Sequence, residues 1–329
     1  MNKNIFLSII IPCYNMEKYI GRCYESLLSQ QDAVDVEFIF VNDGSSDETL
    51  QILKKYSEKD KRVIIIDQIN SGVSAARNRA LEMVSGSYFF LLDSDDYLPL
   101  NTISNIKKIV NKYQPDIIMP AYNRCINGNK RFVRLPLTDG LYDKYSFFDK
   151  VAYFPTIPQL VYKKQPKHDL IRFDESIKCG EVYTFTISYL QYAQYIYVLN
   201  TACYNYFQRL DSATNKPNYK NDFTVVNALE QIYKQGGELR KYSSFCVTAF
   251  KLFMSFTYNK YLRFPFCQDS IDVVEKLFSV PIILRNIKDV LFKPHTSFKE
   301  RSLACYVFLM PTQLGFKILN KIICKLEYK

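Results

Sequence analysis

The sequence predicts an α/β fold: a mainly parallel central sheet with helices on both faces, followed by a C-terminal helical extension. Two observations predict it. Over residues 1 to about 120, short apolar runs alternate with segments whose apolar residues recur at helical spacing. From about residue 221 onward the spacing is helical throughout. Alternation of strands and helices with short connections is typical of a parallel sheet covered on both faces.

The elements of the first 120 residues follow from local patterns. Apolar runs bounded by polar residues are typical of buried strands. Between the runs, apolar residues fall on one helical face, which in the first helix carries Ile20, Cys23, Tyr24, Leu27 and Leu28. Ser46 or Asp47 would cap the second helix. In chain order the pattern predicts a strand at 7–12, a helix at 17–30, a strand at 37–41, a helix ending near 56, a strand at 62–66, a helix at 72–83, a strand at 88–92, a helix at 103–113 and a strand at 116–119.

The periodicity weakens between about 121 and 180. Asn127-Gly-Asn129 and Asp139-Gly140 are predicted turns, and prolines at 155, 158 and 166 indicate irregular chain. A helix followed by a strand is predicted over 181–200. Helices are then expected at 223–235 and 245–262, with two or three more beyond them.

An acidic cluster follows the fourth predicted strand: Asp93, Asp95 and Asp96 occupy three of four consecutive positions. Clustered carboxylates repel one another, so they rarely follow a buried strand for the sake of stability. A Mg²⁺ or Mn²⁺ ion would relieve the repulsion, because such ions take oxygen ligands and share them with substrate phosphates. The alternative is an acidic turn in which Asp96 or Asn101 caps the next helix.

Polar clusters lie at the carboxyl ends of the predicted strands. They are Cys13-Tyr-Asn15, Asn42-Asp-Gly-Ser45 and Asp93-Ser-Asp95, and the segment 68–78 forms a fourth loop. Parallel sheets bind ligands at this edge, so the four loops are expected to line one cleft. Glycine-rich phosphate-binding fingerprints do not occur in the sequence. A bound nucleotide would therefore need another source of positive charge, such as a metal on Asp95.

The net charge of +10 favours an anionic partner: a nucleotide, a phospholipid surface or a nucleic acid. Nucleic acid is the weakest of these candidates, because no predicted helix carries a dense basic stripe with base-reading residues.

The nine cysteines form no C-x-x-C pair, and the chain has only two histidines. A zinc site is therefore not expected. The cysteines are scattered and mostly flanked by apolar residues, which is typical of buried free thiols in a reducing cytosol.

The two ends of the chain and its apolar segments indicate whether the protein is secreted, inserted in a membrane or bound to a membrane surface. The N-terminus has neither an apolar h-region nor a small-residue cleavage site, so no signal peptide is expected. No 18-residue apolar window lacks charges or prolines, so no transmembrane helix is expected either. Residues 281–329 contain nine Lys or Arg against three Asp or Glu, interleaved with apolar residues. This tail could lie on an anionic membrane surface, or it could pack on the rest of the protein with its lysines in solvent.

Four segments together resemble one family, the family-2 inverting glycosyltransferases with the GT-A fold, of the bacterial capsule, O-antigen and exopolysaccharide type. The matching segments are 8–15, 40–47, 70–78 and 92–97 (Leu-Asp-Ser-Asp-Asp-Tyr, with its DXD motif), and fainter matches follow at 173–177, 180–181 and 204–212. The resemblance covers about residues 5 to 215. It implies a catalytic domain at 1–215, with a nucleotide-binding half at 1–120 and an acceptor-side half at 121–215. A mainly helical region with the basic amphipathic tail would occupy 216–329.

The resemblance also implies roles for individual residues. Tyr14 would lie against the nucleotide base on a turn shaped by Pro12. Asp43 would accept a hydrogen bond from the uracil N–H, and Arg77 would reach the base or the diphosphate. Asp93 would bind the ribose or the sugar. The same nucleotide-sugar site would include Asn15, Gly72, Ser94 and Ser212. Taken singly, Tyr14 could be an ordinary loop aromatic, Asp43 a turn residue and Arg77 a surface arginine.

The implied reaction moves a hexose or N-acetylhexosamine from a UDP-sugar to a hydroxyl of a glycan or undecaprenyl-diphosphate-linked glycan. The enzyme would be cytoplasmic, or peripheral at the inner face of the cell membrane. Mn²⁺ or Mg²⁺ on Asp95 and the cation Arg209 would neutralise the leaving diphosphate. An acceptor hydroxyl, deprotonated by a carboxylate, would displace it with inversion.

The general base is the point at which the chain departs from the family pattern. Gly-Glu-Asp is usual where this sequence has Gly180-Glu181-Val182. Glu181 is the candidate base, although it could instead be a first-turn acid favoured by the helix dipole. Asp174 or Glu175 are alternatives. The chain could also be a slow or inactive transferase-like scaffold that binds nucleotide in an assembly complex. A nucleotidyltransferase is the weaker alternative, because it would have a glycine-rich basic loop near the N-terminus.

Overall fold

The computed structural model describes residues 4–151, 159–164, 171–209, 218–257, 268–292 and 301–305. These residues form two compact units. The first unit comprises the described residues up to 144 together with 159–164, 171–175 and 192–209. The second comprises 145–151, 176–191 and the described residues from 218 onward.

The first unit is built on one nine-stranded sheet. Its order is β3-β2-β1-β4-β8-β5-β9-β7, and β6 pairs with β5 outside this path. Strands β1 to β4 are mutually parallel, β5 is parallel to β9, and the short β8 runs antiparallel between β4 and β5. The strands are β1 (Leu7–Cys13), β2 (Val36–Asp43), β3 (Val63–Gln68), β4 (Tyr88–Leu91), β5 (Ile117–Ile126), β6 (Asn129–Val133), β7 (Gly140–Asp143), β8 (Val161–Lys163) and β9 (Tyr195–Phe207).

Four helices connect the strands of this sheet: α1 (Ile20–Leu28), α2 (Thr49–Lys59), α3 (Val73–Met83) and α4 (Thr102–Tyr113). Every residue of β1 and β2 is buried, because helices cover both faces of the sheet. The apolar residues of α1 and α4 join one core cluster with Ile9 and Phe38. Helix α3 contacts β1 and β2 on the opposite face. The predicted α/β fold and the predicted elements of the first 120 residues are thus confirmed, with ends shifted by up to three residues except for the last strand, which extends to Ile126.

Between residues 121 and 180 the structure contains more regular elements than the sequence predicts. Strand β5 continues past Pro120 to Ile126 and forms a hairpin with β6 through the expected Asn127-Gly128 turn. Both turn residues have positive φ, which the asparagine–glycine pair tolerates in a tight hairpin. Strands β6 and β7 are four or five residues long and exposed or half-buried, and the largely buried β8 has only three residues, so these strands carry too little apolar periodicity to be predicted. The irregular segments expected at the three prolines, 155, 158 and 166, lie outside the described residues.

The second unit is helical where it is described. Its helices are α5 (Lys144–Lys150), α6 (Glu181–Leu190), α7 (Tyr219–Asp222), α8 (Val225–Gln235), α9 (Ser243–Thr257), α10 (Gln268–Phe278) and α11 (Pro281–Phe292), with a 3₁₀-helix at Gly237–Lys241. The helical pattern expected beyond residue 221 is confirmed, and residues 258–262 of the predicted helix lie outside the described ranges. Within the described part of the chain, no helix is both long and apolar enough to cross a membrane.

The cysteines of the described ranges are free thiols. Six of them are buried, as the sequence predicts, and Cys305 is exposed. The basic amphipathic tail over 281–329 is described only in part: α11 contacts α8 and α9, and the residues from 306 onward lie outside the described ranges. Both interpretations of the tail stay predictions.

Candidate functional site

The acid loop, residues 93–97, leaves the carboxyl end of β4. Asp93, Asp95 and Asp96 each offer a carboxylate oxygen, and these oxygens lie within 4.8 Å of one another. Burial, together with the charge of Asp93, raises the pKa of Asp95 to about 6. The three acids of the loop therefore lie as close together as the sequence indicates. Its all-oxygen donor set fits Mg²⁺ or Mn²⁺, which prefer such ligands.

Two arginines contact the acid loop. Arg77 Nη2 lies 2.9 Å from Asp93 Oδ1, and Arg209 Nε lies 2.8 Å from Asp95 Oδ2. Arg77 is only 2% exposed, which excludes the alternative of an ordinary surface arginine. Four residues that the sequence assigns to one site are thus brought together. At the carboxyl edge of the sheet they form two ion pairs, each between one aspartate and one arginine.

Asp96 is not a helix cap. Its Oδ2 accepts a hydrogen bond from Tyr204 Oη at 2.6 Å, and its Oδ1 accepts one from the Phe207 N–H at 2.6 Å. The other candidate cap, Asn101, has a left-handed backbone and makes no side-chain cap to α4. The Tyr204 oxygen in turn accepts the Asp93 N–H at 3.2 Å. Asp96 therefore ties β9 to the acid loop, which leaves Asp93 and Asp95 as the acids that could hold a metal.

Asp43 organises the loop between β3 and α3. Its Oδ1 accepts hydrogen bonds from Gln68 Nε2 and the Ser71 N–H, and its Oδ2 accepts one from the Gly72 N–H, each at 2.8 Å. A carboxylate has about four lone-pair positions. One position on Oδ2 thus stays available, which is compatible with the predicted hydrogen bond from a base N–H.

The loop after β1 is held against the loop after β2. Asn15 Oδ1 accepts the Ser46 N–H at 2.9 Å, and the Asn15 N–H donates to Ser45 Oγ at 3.0 Å. The neighbouring Tyr14 side chain is 48% exposed, so its ring is accessible for stacking. Pro12 pairs with Val41 inside the sheet, at the start of this turn.

The remaining predicted site residues differ in their surroundings. Ser94 is buried in the acid loop. Ser212 lies outside the described residues. Glu181 is the first residue of α6 in the second unit, where it follows Gly180. Gly180 has φ of +89°, and a Cβ there would lie 2.9 Å from Leu252 Cδ2, so α6 begins at a position that requires glycine.

The alternative base Glu175 belongs to the first unit. Asn78 Nδ2 donates to Glu175 Oε1 at 3.0 Å and to the Phe173 carbonyl at 2.9 Å. The Phe173 N–H donates back to Asn78 Oδ1 at 2.7 Å. Asn78 therefore fastens the segment that carries Asp174 and Glu175 to α3.

Sequence reasoning missed Asn78, Arg22 and the role of Tyr204 in this site. Asn78 ends the segment 70–78 that carries the family resemblance, so its position was a usable signal. Arg22 lies outside the apolar face of α1, and no local pattern distinguishes it from a solvated arginine. Asn78 and Arg22 contact segments that are distant from them in sequence, and such contacts are visible only in the folded chain.

Comparison with protein-family models identifies a glycosyl transferase family 2 domain at residues 8–171. Among curated proteins, the chain is 35% identical over 151 residues to glycosyltransferase GlyA of Streptococcus pneumoniae, covering 46% of this chain and 21% of GlyA. It is 27% identical over 220 residues to the uncharacterized glycosyltransferase EpsJ of Bacillus subtilis, covering 64% of this chain and 63% of EpsJ. The chain thus spans less than two thirds of the length of these relatives.

Solved structures share the fold. The TarS 1–349 fragment of Staphylococcus aureus in complex with UDP-GlcNAc superposes with a TM-score of 0.70 at 19% identity, covering 96% of this chain and 91% of the fragment. A mannosyltransferase of Pyrobaculum calidifontis in complex with GDP-Man and Mn²⁺ gives 0.51 at 12% identity, covering 98% and 88%. The sheet with its acid loop, the family-2 domain and these likenesses agree. The chain belongs to glycosyl transferase family 2 and has the GT-A fold.

Proposed function

We propose that the protein transfers a hexose or N-acetylhexosamine from a UDP-sugar to a hydroxyl of a glycan or lipid-linked glycan in surface polysaccharide biosynthesis. The observation that carries this proposal is that Arg77 pairs with Asp93 and Arg209 pairs with Asp95 in the first unit, where Asp43 also ends β2. UDP and UDP-GlcNAc, which are bound in TarS structures, support uridine as the base of the donor.

Asp95 would hold the divalent cation, and Asp93 would bind the ribose or the sugar. When bound, Mn²⁺ or Mg²⁺ neutralises charge that grows on the leaving diphosphate. Arg209 contributes a second positive charge beside Asp95, and Arg77 contributes one beside Asp93. Both guanidinium groups are available to exchange part of their pairing with carboxylates for donor oxygens.

The donor base would be held by groups of the first two loops and of the β3–α3 loop. The exposed ring of Tyr14 offers a stacking surface, and the free acceptor position on Asp43 Oδ2 suits an N–H of uracil. Asp43 also holds the backbone of residues 71 and 72 in place, so it contributes to binding through both the loop and its own oxygen.

The general base stays Glu181, as the sequence predicts. Its carboxylate would take the proton of the acceptor hydroxyl during a single displacement with inversion. Glu181→Gln is expected to lower turnover far more than donor affinity. Equal turnover in that variant would rule Glu181 out and direct attention to Asp174 and Glu175.

A screen of UDP-sugars, scored by UDP release with Mn²⁺ or Mg²⁺ present, tests the proposal. We expect release with at least one donor, loss of release on adding a chelator, and its return when the cation is restored. A second candidate function is a nucleotide-binding scaffold without turnover, which Val182 favours because it stands where the family usually has an aspartate. Binding of UDP without release from any donor would support the scaffold.

A further inference from the structure

Arg22 of α1 joins three segments of the first unit. Its Nη2 donates a hydrogen bond to the backbone carbonyl of Asp95 at 2.7 Å. Its Cζ lies 3.8 Å from the ring centroid of Phe207 and 4.7 Å from that of Tyr97. One side chain thus contacts both the acid loop and the end of β9.

The contact with Phe207 matters because of what surrounds that residue. The Phe207 N–H donates to Asp96, and Arg209, two residues further on, pairs with Asp95. The Arg209 guanidinium also lies over the ring of Tyr19, at 4.8 Å, just before α1 begins. The segment 207–209 is therefore held between α1 on one side and the acid loop on the other.

The plane of the Arg22 guanidinium is fixed mainly by the two rings. Among the described residues, its Nε has no hydrogen-bond partner although it is buried. A planar guanidinium stacks on aromatic faces, whereas a lysine ammonium does not reproduce that geometry. Lysine would keep the charge and one donor but would lose the fixed orientation.

We infer that Arg22 is a positioning residue, which fixes segment 207–209 against the acid loop and so sets the placement of Arg209 beside Asp95. The expected effect on catalysis rests on the proposed function. The structural role of Arg22 does not, and it can be tested separately.

Hydrogen exchange of the Phe207 amide tests the structural role. We compare the wild type with Arg22→Ala and Arg22→Lys, and we use Arg62→Lys as the matched control. Arg62 makes the same kinds of contact: it lies 4.8 Å from the Phe38 ring and donates to the Ala33 carbonyl, and it also pairs with Asp60. It precedes β3, at the edge of the sheet opposite to the carboxyl edge that carries the acid loop. Exchange at Phe207 should be about tenfold or more faster in Arg22→Ala, intermediate in Arg22→Lys and unchanged in Arg62→Lys. Equal exchange in all four proteins overturns the inference.

Steady-state UDP release tests the consequence for catalysis. We expect Arg22→Ala to lower kcat about tenfold or more with a smaller change in KM, and Arg22→Lys to recover only part of the loss. The control should keep wild-type kcat and KM even if its thermal midpoint falls. Faster exchange with unchanged kcat would overturn the catalytic part of the inference. A wild type that releases no UDP, with exchange still faster in Arg22→Ala, would overturn the proposed function and support the structural role of Arg22.

Discussion

The three aspartates of the acid loop have different surroundings, and the contacts of each one indicate a different role. Asp93 and Asp95 are half-buried and pair with arginines, so they can exchange partners when a ligand binds. Asp96 is 1% exposed, and both of its oxygens accept hydrogen bonds from β9. Removing the charge should therefore affect mainly UDP release at Asp95 and mainly the free energy of unfolding at Asp96.

Asp95→Asn should lower UDP release roughly a hundredfold or more, because the divalent cation that would neutralise the donor diphosphate loses a carboxylate ligand. Its stability should stay near that of the wild type, because the change also removes one of three mutually repelling charges. Initial rates and thermal unfolding check the two statements. Wild-type rates in this variant would exclude Asp95 as a metal ligand.

Asp96→Asn should instead lower the free energy of unfolding by about 1–3 kcal/mol, because an asparagine amide leaves one of the two buried donors unpaired. Urea unfolding measures this loss, with Asp95→Asn as the matched control. A loss no greater than that of the control would mean that the contacts to Tyr204 and Phe207 contribute little to stability.

At the scale of elements, parallel pairing brings the polar loops together. Strands β1, β2 and β4 are in register, so the turns that follow them lie at one edge of the sheet. The connection from β3 to α3 is held by Asp43, which accepts hydrogen bonds from the Ser71 and Gly72 N–H groups. The edge of the sheet thus sets where the polar loops lie, and the buried Asp43 carboxylate helps to hold the conformation of the β3–α3 loop.

Asp43→Ala should weaken UDP binding at least tenfold and lower stability by about 1–3 kcal/mol, because it leaves the buried or partly buried donors of Gln68, Ser71 and Gly72 without their acceptor. Calorimetric titration with UDP and Mn²⁺ measures the first effect and urea unfolding the second. Asp67→Ala is a suitable control, since Asp67 accepts one hydrogen bond from Asn42 in the adjacent strand. Equal losses in both variants would argue against a special role for Asp43.

Element prediction succeeded where the pattern was long and apolar, and it failed where the pattern was short or mixed. The fully buried β1 and β2 were predicted to within two residues, because burial on both faces leaves a continuous apolar run. Strands β6 and β7 were not predicted, because they are exposed or half-buried and owe their existence to pairing with β5 and β9. Local sequence does not encode that pairing.

For the whole molecule, the net charge of +10 is the property most relevant to location. The basic amphipathic tail contributes to it and lies outside the described residues beyond 305. Membrane association therefore rests on the sequence alone. The tail is proposed to lie on anionic lipid, the alternative being a helix packed on the catalytic domain.

The full chain should sediment with anionic liposomes at low ionic strength and should be released as salt shortens the Debye length to about 10 Å at 0.1 M. Deleting the residues after about 295 should abolish the binding. Neutral liposomes serve as the control for non-specific adsorption. Absence of binding at low salt would favour the packed helix.

The sequence by itself determined the α/β architecture and the four loops that contain the candidate site, because apolar periodicity is local and parallel strands carry their following loops to one edge. Only the tertiary structure decided which polar and charged groups contact one another. Asp96 and Tyr204 are 108 residues apart, and Arg22 and Asp95 are 73 apart, yet both pairs are in contact. Such partnerships depend on how β9 and α1 pack beside the acid loop, and no pattern within either segment specifies that packing.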